Sequence, residues 1–250
     1  MHVIYRTIGG LVLVGIGILP VLKTEWFMRN FGRIEWAERK LGDSRLFYKL
    51  IGLAVIFVGL MAMTGLLGSF LLGTVGTLFR VLAEAGVGDG LTVADFGCGT
   101  LGHYVFPAAE LVGPDGQVFA VDILKSVLGG IESRRKVESA TNVETVWGDI
   151  ERPNGIRIGS GTVDVGLLVN NLFMSRQREV MLRECMRTLK PSGRLVLVDW
   201  LPTGIKFFGP AADQLVTSAE ARRLAEATGL RVEREFSPGK FHYGLICTKP

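Results

Sequence analysis

The sequence predicts an α/β fold: a doubly wound, seven-stranded, mostly parallel sheet, preceded by a hydrophobic helical membrane region. Three observations lead to this prediction. From residue 91 onward, short apolar strands alternate with helical stretches. The first of these strands ends in an acidic residue and several glycines. Before residue 80, two long runs carry no formal charge. We therefore divide the chain into a membrane-anchoring region, 1–80, and an α/β domain, 81–250.

The two uncharged runs are residues 7–22 and 50–79. A helix that crosses a bilayer needs about 20 apolar residues, so the first run is of marginal length and the second is long enough. Four glycines crowd the second half of the longer run: Gly65, Gly68, Gly73 and Gly76. This run is expected to form either a spanning helix to about residue 67 followed by an apolar connecting helix, or a re-entrant hairpin.

The polar segment between them, residues 23–49, has an amphipathic pattern. Its apolar residues fall on one helical face, and these are Phe27, Phe31, Ile34, Ala37 and Leu41. Trp26 and Trp36 are residue types that favour the headgroup region of a bilayer. The pattern predicts an amphipathic helix at the membrane interface. The alternative is a solvated connecting helix whose apolar stripe packs on its neighbours.

Charge is distributed unevenly along the chain. Residues 1–79 contain eight Lys or Arg and four Asp or Glu, so they carry the whole formal charge of +4. Residues 80–250 contain twenty of each and are neutral. A neutral α/β domain disfavours nucleic acid as a partner, whereas basic charge beside hydrophobic segments favours anionic membrane lipids.

The positive charge also bears on membrane topology. Residues 23–49 contain seven Lys or Arg, which favours a cytoplasmic position for that segment. Two full crossings would then place residues 80–250 outside. Either one hydrophobic run does not cross, or the folding of the α/β domain overrides the charge bias. We expect a membrane protein whose α/β domain faces the cytoplasm.

The three cysteines, Cys98, Cys185 and Cys247, are far apart and include no CxxC pair. Their spacing disfavours a disulfide framework and a structural zinc site, and it is typical of a reducing compartment. We therefore expect no metal site.

The α/β domain contains seven predicted strands and four predicted helices. The strands lie near 92–97, 117–122, 143–148, 163–169, 194–199, 231–236 and 241–248, and the helices near 101–112, 124–139, 175–189 and 217–228. Only a turn, Ser237 to Lys240, separates the last two strands, which predicts an antiparallel hairpin at one sheet edge.

In a doubly wound sheet, ligands bind beyond the carboxyl ends of the strands. After the first strand, Asp95 precedes glycines that let a ligand approach main-chain N–H groups. After the second, Asp122 is suited to accept hydrogen bonds from both hydroxyls of a ribose. The predicted binding residues at these strand ends are Asp95, Gly97, Cys98, Gly99, Gly102, Asp122, Ile123, Asp149, Ile150 and Asn170.

The third and fourth strand ends complete this prediction. The Asp149 carboxylate suits an exocyclic amine, and the Ile150 N–H suits a ring nitrogen. Asn170 and Asn171 follow the fourth strand and are expected to line the reactive end of the site. The alternative for each of these polar residues is a local role as a turn former or cap.

Residues of about 88–250 resemble the class I S-adenosylmethionine-dependent methyltransferases, near those that methylate quinones, lipids and other small molecules. The matching motifs are Asp95-Phe96-Gly97-Cys98-Gly99, Asp122, Gly148-Asp149, Asp164 and Leu189-Lys190-Pro191-Ser192-Gly193-Arg194. The resemblance implies S-adenosylmethionine as cofactor, with Gly97 and Gly99 beside its methionine moiety. It also implies that Asp122 binds the ribose and that Asp149 and Ile150 frame the adenine.

One departure from the family pattern keeps a second interpretation open. The family turn has a further glycine where this chain has Leu101, and Gly102 follows it. The result is a G-x-G-x-x-G match, typical of dinucleotide binding, so an NAD(P)-dependent oxidoreductase is the alternative. Asp95 directly before the turn and Lys190-Pro191 at a later strand favour methyl transfer.

The methyl group of a sulfonium is already activated, so catalysis requires mainly alignment, with a base where the acceptor must lose a proton. The candidate bases are His103, Asp199 and His242. The hydrophobic start of the chain favours an apolar acceptor such as a lipid or quinone. The alternatives are a protein or soluble acceptor, and a non-catalytic cofactor-binding assembly module.

Overall fold

The computed structural model of the chain describes residues 2–64, 66–204 and 209–250, without the side chains of residues 2–4 and 66–75. It divides into two compact units, Met1–Val75 and Gly76–Pro250. Helix α5, Leu66–Ala85, begins in the first unit and ends in the second. Residue 65, the first of the four glycines in the second half of the predicted 50–79 run, lies outside the described residues.

The first unit is helical. Its main elements are α1, His2–Leu22, and α4, Ser44–Thr64, which pack against each other along their lengths. Glycines form the contact: a Cβ on Gly17 would lie 2.6 Å from the carbonyl oxygen of Gly52, and a Cβ on Gly59 would lie 2.8 Å from that of Gly10. Because glycine has no side chain, the two backbones approach closely.

Large apolar side chains occupy the outward faces of this α1–α4 hairpin. Ile8, Leu11 and Val12 on α1 are more than half exposed, and so are Leu53 and Phe57 on α4. By length and composition, Tyr5–Leu22 and Ser44–Thr64 are both apolar enough to cross a membrane. A water-soluble hairpin buries such side chains at its contact, whereas this one places glycine there.

The connection between α1 and α4 contains two short helices, α2, Thr24–Phe31, and α3, Glu35–Leu41. The prediction of one amphipathic helix over 23–49 is wrong, because Gly32 and Gly42 adopt positive φ angles of 77° and 79° that a continuous helix does not allow. For the predicted 50–79 segment, the structure has the alternative of two successive helices, α4 and α5, on either side of residue 65, although α4 starts earlier than predicted, at Ser44.

The second unit contains the predicted seven-stranded, mostly parallel sheet. Its strands are β1 Thr92–Phe96, β2 Gln117–Asp122, β3 Val143–Trp147, β4 Val163–Val169, β5 Leu189–Trp200, β6 Arg231–Gly239 and β7 His242–Thr248. They lie in the order β3-β2-β1-β4-β5-β7-β6, with β7 antiparallel to both neighbours. The order reverses between β1 and β4, which creates a topological switch point at their carboxyl ends.

Helices cover both faces of the sheet. They are α6 Val105–Val112, α7 Lys125–Val137, α8 Arg178–Thr188 and α9 Ser218–Ala227. The end of α5, α6 and α7 contribute to one apolar core, together with Val93, Val196 and Ile246. Helices α8 and α9 contribute to the other. Successive residues of a strand point to opposite faces, so each strand supplies both cores.

Two boundaries differ from the prediction for identifiable reasons. Helix α6 starts at Val105 rather than 101, because Gly102 has a φ of 54° that is not helical. Strand β5 starts at Leu189 rather than 194: Leu189 pairs with Val163, and the Ser192 N–H donates to the Lys249 carbonyl oxygen. These long-range pairs extend the strand through residues with turn-forming side chains.

Candidate functional site

The turn after β1 is held against the end of β2. The N–H groups of Gly97 and Cys98 both donate to the Val121 carbonyl oxygen, at 2.8 and 3.0 Å. This bifurcated contact bends the chain sharply out of the sheet. Gly97 and Gly99 have φ angles of 72° and 67°, a region in which L side chains are strained.

The three glycines of the turn have different neighbours. A Cβ on Gly97 would collide with the side-chain amide of Asn171, and a Cβ on Gly102 would lie 2.6 Å from Ile131 Cδ1. Around Gly99, no atom of the described residues other than its own chain neighbours lies within 4 Å of that position. Gly97 and Gly102 therefore permit close packing within the protein, whereas Gly99 leaves open space beside its backbone.

Asp122 connects β2 to this turn. Its Oδ2 accepts from the Gly99 N–H at 3.3 Å, and its Oδ1 accepts from the Leu124 N–H at 2.9 Å. The side chain is only partly buried. The fold thus brings together the glycine turn and the acid predicted to bind ribose, although 23 residues separate them in the chain.

The end of β3 joins the same group. The Gly148 N–H donates to the Asp122 carbonyl oxygen at 3.2 Å, and the Trp147 indole donates to the Ile123 carbonyl oxygen at 2.9 Å. Trp147 and Ile123 are both about half exposed. They form an apolar edge next to Asp122.

Asp149 and Ile150 make mainly local contacts. Asp149 Oδ1 accepts from the Glu151 N–H at 2.9 Å, and Oδ2 pairs with Arg152 at 3.1 Å. Ile150 packs against the core that includes α8 and α9. This geometry is that of an Asx turn, the local alternative given for Asp149 above.

Asp95 is the most perturbed acid at the site. Its side chain is 2% exposed, and burial, with Asp122 as a second cause, raises the pKa of its carboxyl from 3.8 to about 7. Burial and the proximity of Asp95 also raise the pKa of Tyr104 and of the Cys98 thiol. Cys98 is therefore a neutral thiol rather than a thiolate nucleophile.

Asn170 and Asn171 follow β4 directly. Asn170 has a positive φ of 58°, uncommon for a residue other than glycine. The Asn171 amide donates to the carbonyl oxygens of Phe96 and Val169, at 3.0 and 2.8 Å, and so ties the ends of β1 and β4 together. Asn171 therefore has a structural role, whereas the side-chain oxygen of Asn170 has no hydrogen-bond partner in the part of the chain that the structure describes.

Four buried side-chain atoms lack a hydrogen-bond partner among the described residues: Asp95 Oδ2, Asn170 Oδ1, His242 Nε2 and Tyr243 Oη. All four residues lie at the carboxyl edge of the parallel strands, because antiparallel β7 begins there opposite Trp200. Leaving a buried polar atom unpaired costs about 1–3 kcal/mol. Their concentration at one edge marks the place where a polar ligand would supply the missing partners.

The three candidate bases occupy different environments. His103 is exposed, in the turn before α6. Asp199 is 1% exposed, and its two oxygens accept the N–H groups of Trp200 and Phe173 at 2.7 and 3.1 Å, an arrangement that positions the loop after β4. Burial raises the pKa of Asp199. His242 is half-buried beside Trp200.

Sequence reasoning omitted Tyr104 and Trp147 from the predicted binding residues. Tyr104 lies close enough to Asp95 to be perturbed by it, and Trp147 borders Asp122 through Ile123. Their positions in the sequence could have indicated both residues. Tyr104 is an aromatic residue at the end of the turn after β1, and Trp147 is an aromatic residue at the end of β3.

Comparison with known proteins was consistent with this geometry. Residues 93–193 match a family model described as a methyltransferase domain. The chain is 30% identical over 198 residues to the ubiquinone/menaquinone biosynthesis C-methyltransferase of Pseudomonas fluorescens. The aligned segment covers 73% of this chain and 76% of that protein. It is 31% identical over 124 residues to the demethylmenaquinone methyltransferase of Lactococcus lactis, of which it spans about half the length, 48%.

A solved structure is also similar. The crystal structure of a SAM-dependent methyltransferase from Aquifex aeolicus superposes with a TM-score of 0.63 and 25% sequence identity, over 70% of this chain and 92% of that one. The similarity therefore covers almost all of the solved protein and confirms the predicted sheet architecture.

Proposed function

Because this chain belongs to the class I S-adenosylmethionine-dependent methyltransferases, we propose that it transfers the methyl group of S-adenosylmethionine to an apolar acceptor of the quinone or lipid class. Two observations at the same sheet edge carry the proposal together. Asp95 and Asn170 each have a buried oxygen without a hydrogen-bond partner among the described residues, and the backbone at Gly99 borders open space. The relatives named for ubiquinone, menaquinone and demethylmenaquinone support an apolar, ring-containing acceptor.

The residues present fit the cofactor chemically. S-adenosylmethionine is a sulfonium with an α-ammonium group, so it brings cationic charge and hydrogen-bond donors. Asn170 Oδ1 is an acceptor that needs a donor, and so is Asp95 Oδ2 when its carboxyl is ionised. Asp122 would hold the ribose hydroxyls, and Ile123 with Trp147 would border the adenine. The cofactor supplies an activated methyl group; the protein aligns the acceptor and excludes water.

The α1–α4 hairpin supports membrane attachment as part of the same proposal. Each helix has 21 residues, which at 1.5 Å per residue gives about 31 Å, close to the apolar thickness of a bilayer. The hairpin has glycine at the contact between its helices and large apolar side chains on its outward faces. This arrangement is expected of helices that pack in lipid. An enzyme held at the membrane has direct access to a lipid-soluble acceptor.

The basic connection between the two helices favours anionic lipid headgroups as neighbours. The carboxylates of Glu25, Glu38 and Asp43 engage Arg45 or Ser44, whereas Trp26 and Trp36 are about half exposed. The seven Lys or Arg of residues 23–49 outnumber the four acids of the same segment, so net positive charge remains available to phosphate groups.

The alternatives differ in the acceptor and in the ligand. A soluble or protein acceptor would make the hairpin a localising anchor only. A dinucleotide is disfavoured because the chain matches a methyltransferase domain and its relatives are methyltransferases. A non-catalytic assembly module would bind the cofactor without turnover.

A labelling experiment separates these functions. Membranes that contain the full chain are incubated with S-adenosylmethionine labelled in its methyl group, and lipids are then separated from proteins. We expect label in the lipid fraction. Label in protein alone would contradict the proposed acceptor class, and absence of cofactor binding by calorimetry would contradict methyl transfer itself.

A matched pair of variants tests the site. Asp122→Ala should remove most of the transferred label, since it leaves the ribose hydroxyls and the Gly99 N–H without their acceptor. Asp115→Ala changes an exposed aspartate in the turn before β2 and should behave as the unmodified chain. Equal labelling by the two variants would contradict the role given to Asp122.

A further inference from the structure

Helix α7 contacts the glycine turn after β1 through one of its sides. Ile131 Cδ1 lies 2.6 Å from the position that a Cβ on Gly102 would take. Three residues further along the helix, Arg134 donates from Nη1 to the Leu101 carbonyl oxygen at 2.7 Å. Residues three positions apart lie on the same side of a helix. Ile131 and Arg134 therefore contact consecutive residues of the turn from one direction.

Arg134 is held in place by two further contacts. Its guanidinium carbon lies 4.1 Å from the centroid of the Phe106 ring, within the range of a cation–π contact. Its Nε donates to the Glu138 carboxylate at 2.7 Å, four residues further along the chain. A planar guanidinium that a ring and a carboxylate already orient loses little freedom when it bonds to the Leu101 carbonyl.

The Phe106 ring connects these contacts to the turn as well. A Cβ on Gly102 would lie 3.0 Å from Phe106 Cε2, so the ring lies close to this glycine. Phe106 is buried and belongs to the apolar core formed with α6 and α7. The guanidinium of Arg134 therefore links the turn to a fixed part of the core.

Leu101 is held through its carbonyl group rather than through its side chain. The side chain is 60% exposed, so apolar packing does not fix this residue. One main-chain bond closes the segment, from the Gly102 N–H to the Gly99 carbonyl oxygen at 3.2 Å. Because glycine allows many backbone conformations, a segment that begins and ends with glycine needs further contacts to keep one of them. Arg134 supplies such a contact.

Two charged side chains thus hydrogen-bond to the main chain of the turn at different points. Asp122 accepts from the Gly99 N–H at 3.3 Å, and Arg134 donates to the Leu101 carbonyl oxygen. Gly99 borders the open space in which the proposed function places the cofactor. A ligand that meets an already ordered backbone does not bear the entropic cost of ordering it, so it binds more tightly.

We propose that Arg134 is a positioning residue that holds the glycine turn in the conformation that receives the cofactor. It acts through its bond to the Leu101 carbonyl oxygen, and Glu138 orients its guanidinium. This inference rests on the proposed function and adds a residue that acts without touching the cofactor. The Arg134 side chain is 43% exposed, so its removal opens no buried void and should change cofactor affinity more than folding.

Calorimetric titration of the full chain in detergent micelles tests this role, with S-adenosylhomocysteine, the demethylated form of the cofactor, as ligand. Arg134→Leu should weaken binding about tenfold, the loss expected when one charge-assisted hydrogen bond no longer orders the turn. Arg135→Leu is the matched control, because it removes the same charge from the next residue of α7, whose guanidinium pairs with Glu132. It should leave the affinity unchanged.

Two further variants test the route through the guanidinium. Arg134→Lys keeps the charge and a donor on a long stem, so it should recover part of the lost affinity. Glu138→Gln loosens the orientation of Arg134 and should weaken binding about threefold. Combined with Arg134→Leu, Glu138→Gln should cause no additional loss, because the group on which it acts is then absent.

Kinetics separates positioning from folding. In Arg134→Leu the KM for S-adenosylmethionine should rise about tenfold while kcat stays within about twofold, because a saturating cofactor orders the turn. A substitution that only impaired folding would lower kcat and the binding stoichiometry together and leave KM unchanged. That pattern would overturn the positioning role.

Hydrogen exchange followed by mass spectrometry reports on the turn itself. In the ligand-free chain, the amides of residues 97–106 should exchange about tenfold faster in Arg134→Leu than in the unmodified chain. The difference should disappear when both are saturated with S-adenosylhomocysteine. Arg135→Leu should exchange like the unmodified chain.

The outcomes distinguish this inference from the proposed function. Equal affinity for S-adenosylhomocysteine in Arg134→Leu and Arg135→Leu, or equal exchange of residues 97–106 in the two variants, would overturn the role of Arg134. Methyl transfer would stand in that case, since the unmodified chain still binds the ligand. An unmodified chain that does not bind S-adenosylhomocysteine would overturn both.

Discussion

At the residue scale, the site depends on polar groups that the folded chain leaves incompletely paired. Asp95 is buried with one oxygen unpartnered, and its pKa of about 7 reflects the cost of holding a carboxylate there. Since the folded-state pKa lies above the ordinary value of 3.8, the folded protein binds more protons than the unfolded chain between these two values. The stability of the ligand-free protein should thus decrease as pH rises from about 4 to about 7.

The Asp95→Asn variant tests this conflict between stability and binding. We expect it to unfold at a higher temperature than the unmodified chain at about pH 8. Its stability should also lack the decrease that Asp95 causes as pH rises from about 4 to about 7. Its affinity for S-adenosylmethionine should fall about tenfold or more, because a charged acceptor of the ammonium group is removed. Scanning calorimetry and titration calorimetry measure the two effects.

Asp115→Asn, an exposed substitution, controls for a general effect of charge removal. Undiminished cofactor affinity in Asp95→Asn would show that Asp95 does not contact the cofactor. A lower unfolding temperature than that of the unmodified chain at about pH 8 would show that the carboxylate is stabilised by partners within the protein.

At the scale of elements, glycine positions decide how closely two helices approach. In α1, a Cβ on Gly17 would meet the backbone of α4, whereas a Cβ on Gly15 would meet none of the described atoms beyond its chain neighbours and its own helix within 4 Å. The two residues are two positions apart in one helix, so they differ in environment and not in helix propensity. This makes them a matched pair.

Gly17→Val should separate α1 from α4 and destabilise the hairpin by about 1–3 kcal/mol, the usual cost of overpacking. Gly15→Val should have little effect. The measurement is thermal unfolding of the full chain in detergent micelles, followed by helical circular dichroism. Equal unfolding temperatures for the two variants would contradict the glycine contact.

The same scale explains why the turn after β1 needs three glycines for different reasons. Gly97 makes room for Asn171, Gly102 makes room for Ile131, and Gly99 leaves space beside the site. The spacing of glycines in the sequence predicts a close approach at all three positions. It does not state whether protein or ligand makes that approach.

At the scale of the whole molecule, charge and hydropathy separate a basic region with two long apolar helices from a neutral α/β domain. The proposed use of S-adenosylmethionine requires that domain to reach the compartment that holds this cofactor, the cytoplasm. The basic residues of 23–49 favour the cytoplasmic side as well, so two complete crossings create a conflict that only a topology measurement resolves.

We expect residues 76–250 to face the cytoplasm. With an epitope tag added after Pro250, external protease should remove the tag from inverted inner-membrane vesicles and leave it intact in spheroplasts. Detergent-treated samples of both preparations provide the control for protease access. Protection in inverted vesicles would place the domain outside and contradict the expected topology.

The sequence alone predicted the sheet and its class because hydrophobic alternation and turn residues are local signals. Strands β2 and β4 start and end as predicted, and the antiparallel hairpin follows from the short Ser237–Lys240 turn. The boundaries of α6 and β5 were missed, because a positive φ at Gly102 and the Leu189–Val163 pairing depend on the surrounding fold.

Only the tertiary structure showed which residues share a location. It brought Gly99 to Asp122, placed Asn171 against Gly97, and paired His242 with Trp200 across two strands far apart in the chain. It also identified the few buried atoms without partners, which no sequence pattern reveals. The physical reason is that residue type and spacing determine local backbone preference, whereas burial and hydrogen-bond partners arise only when distant segments pack together.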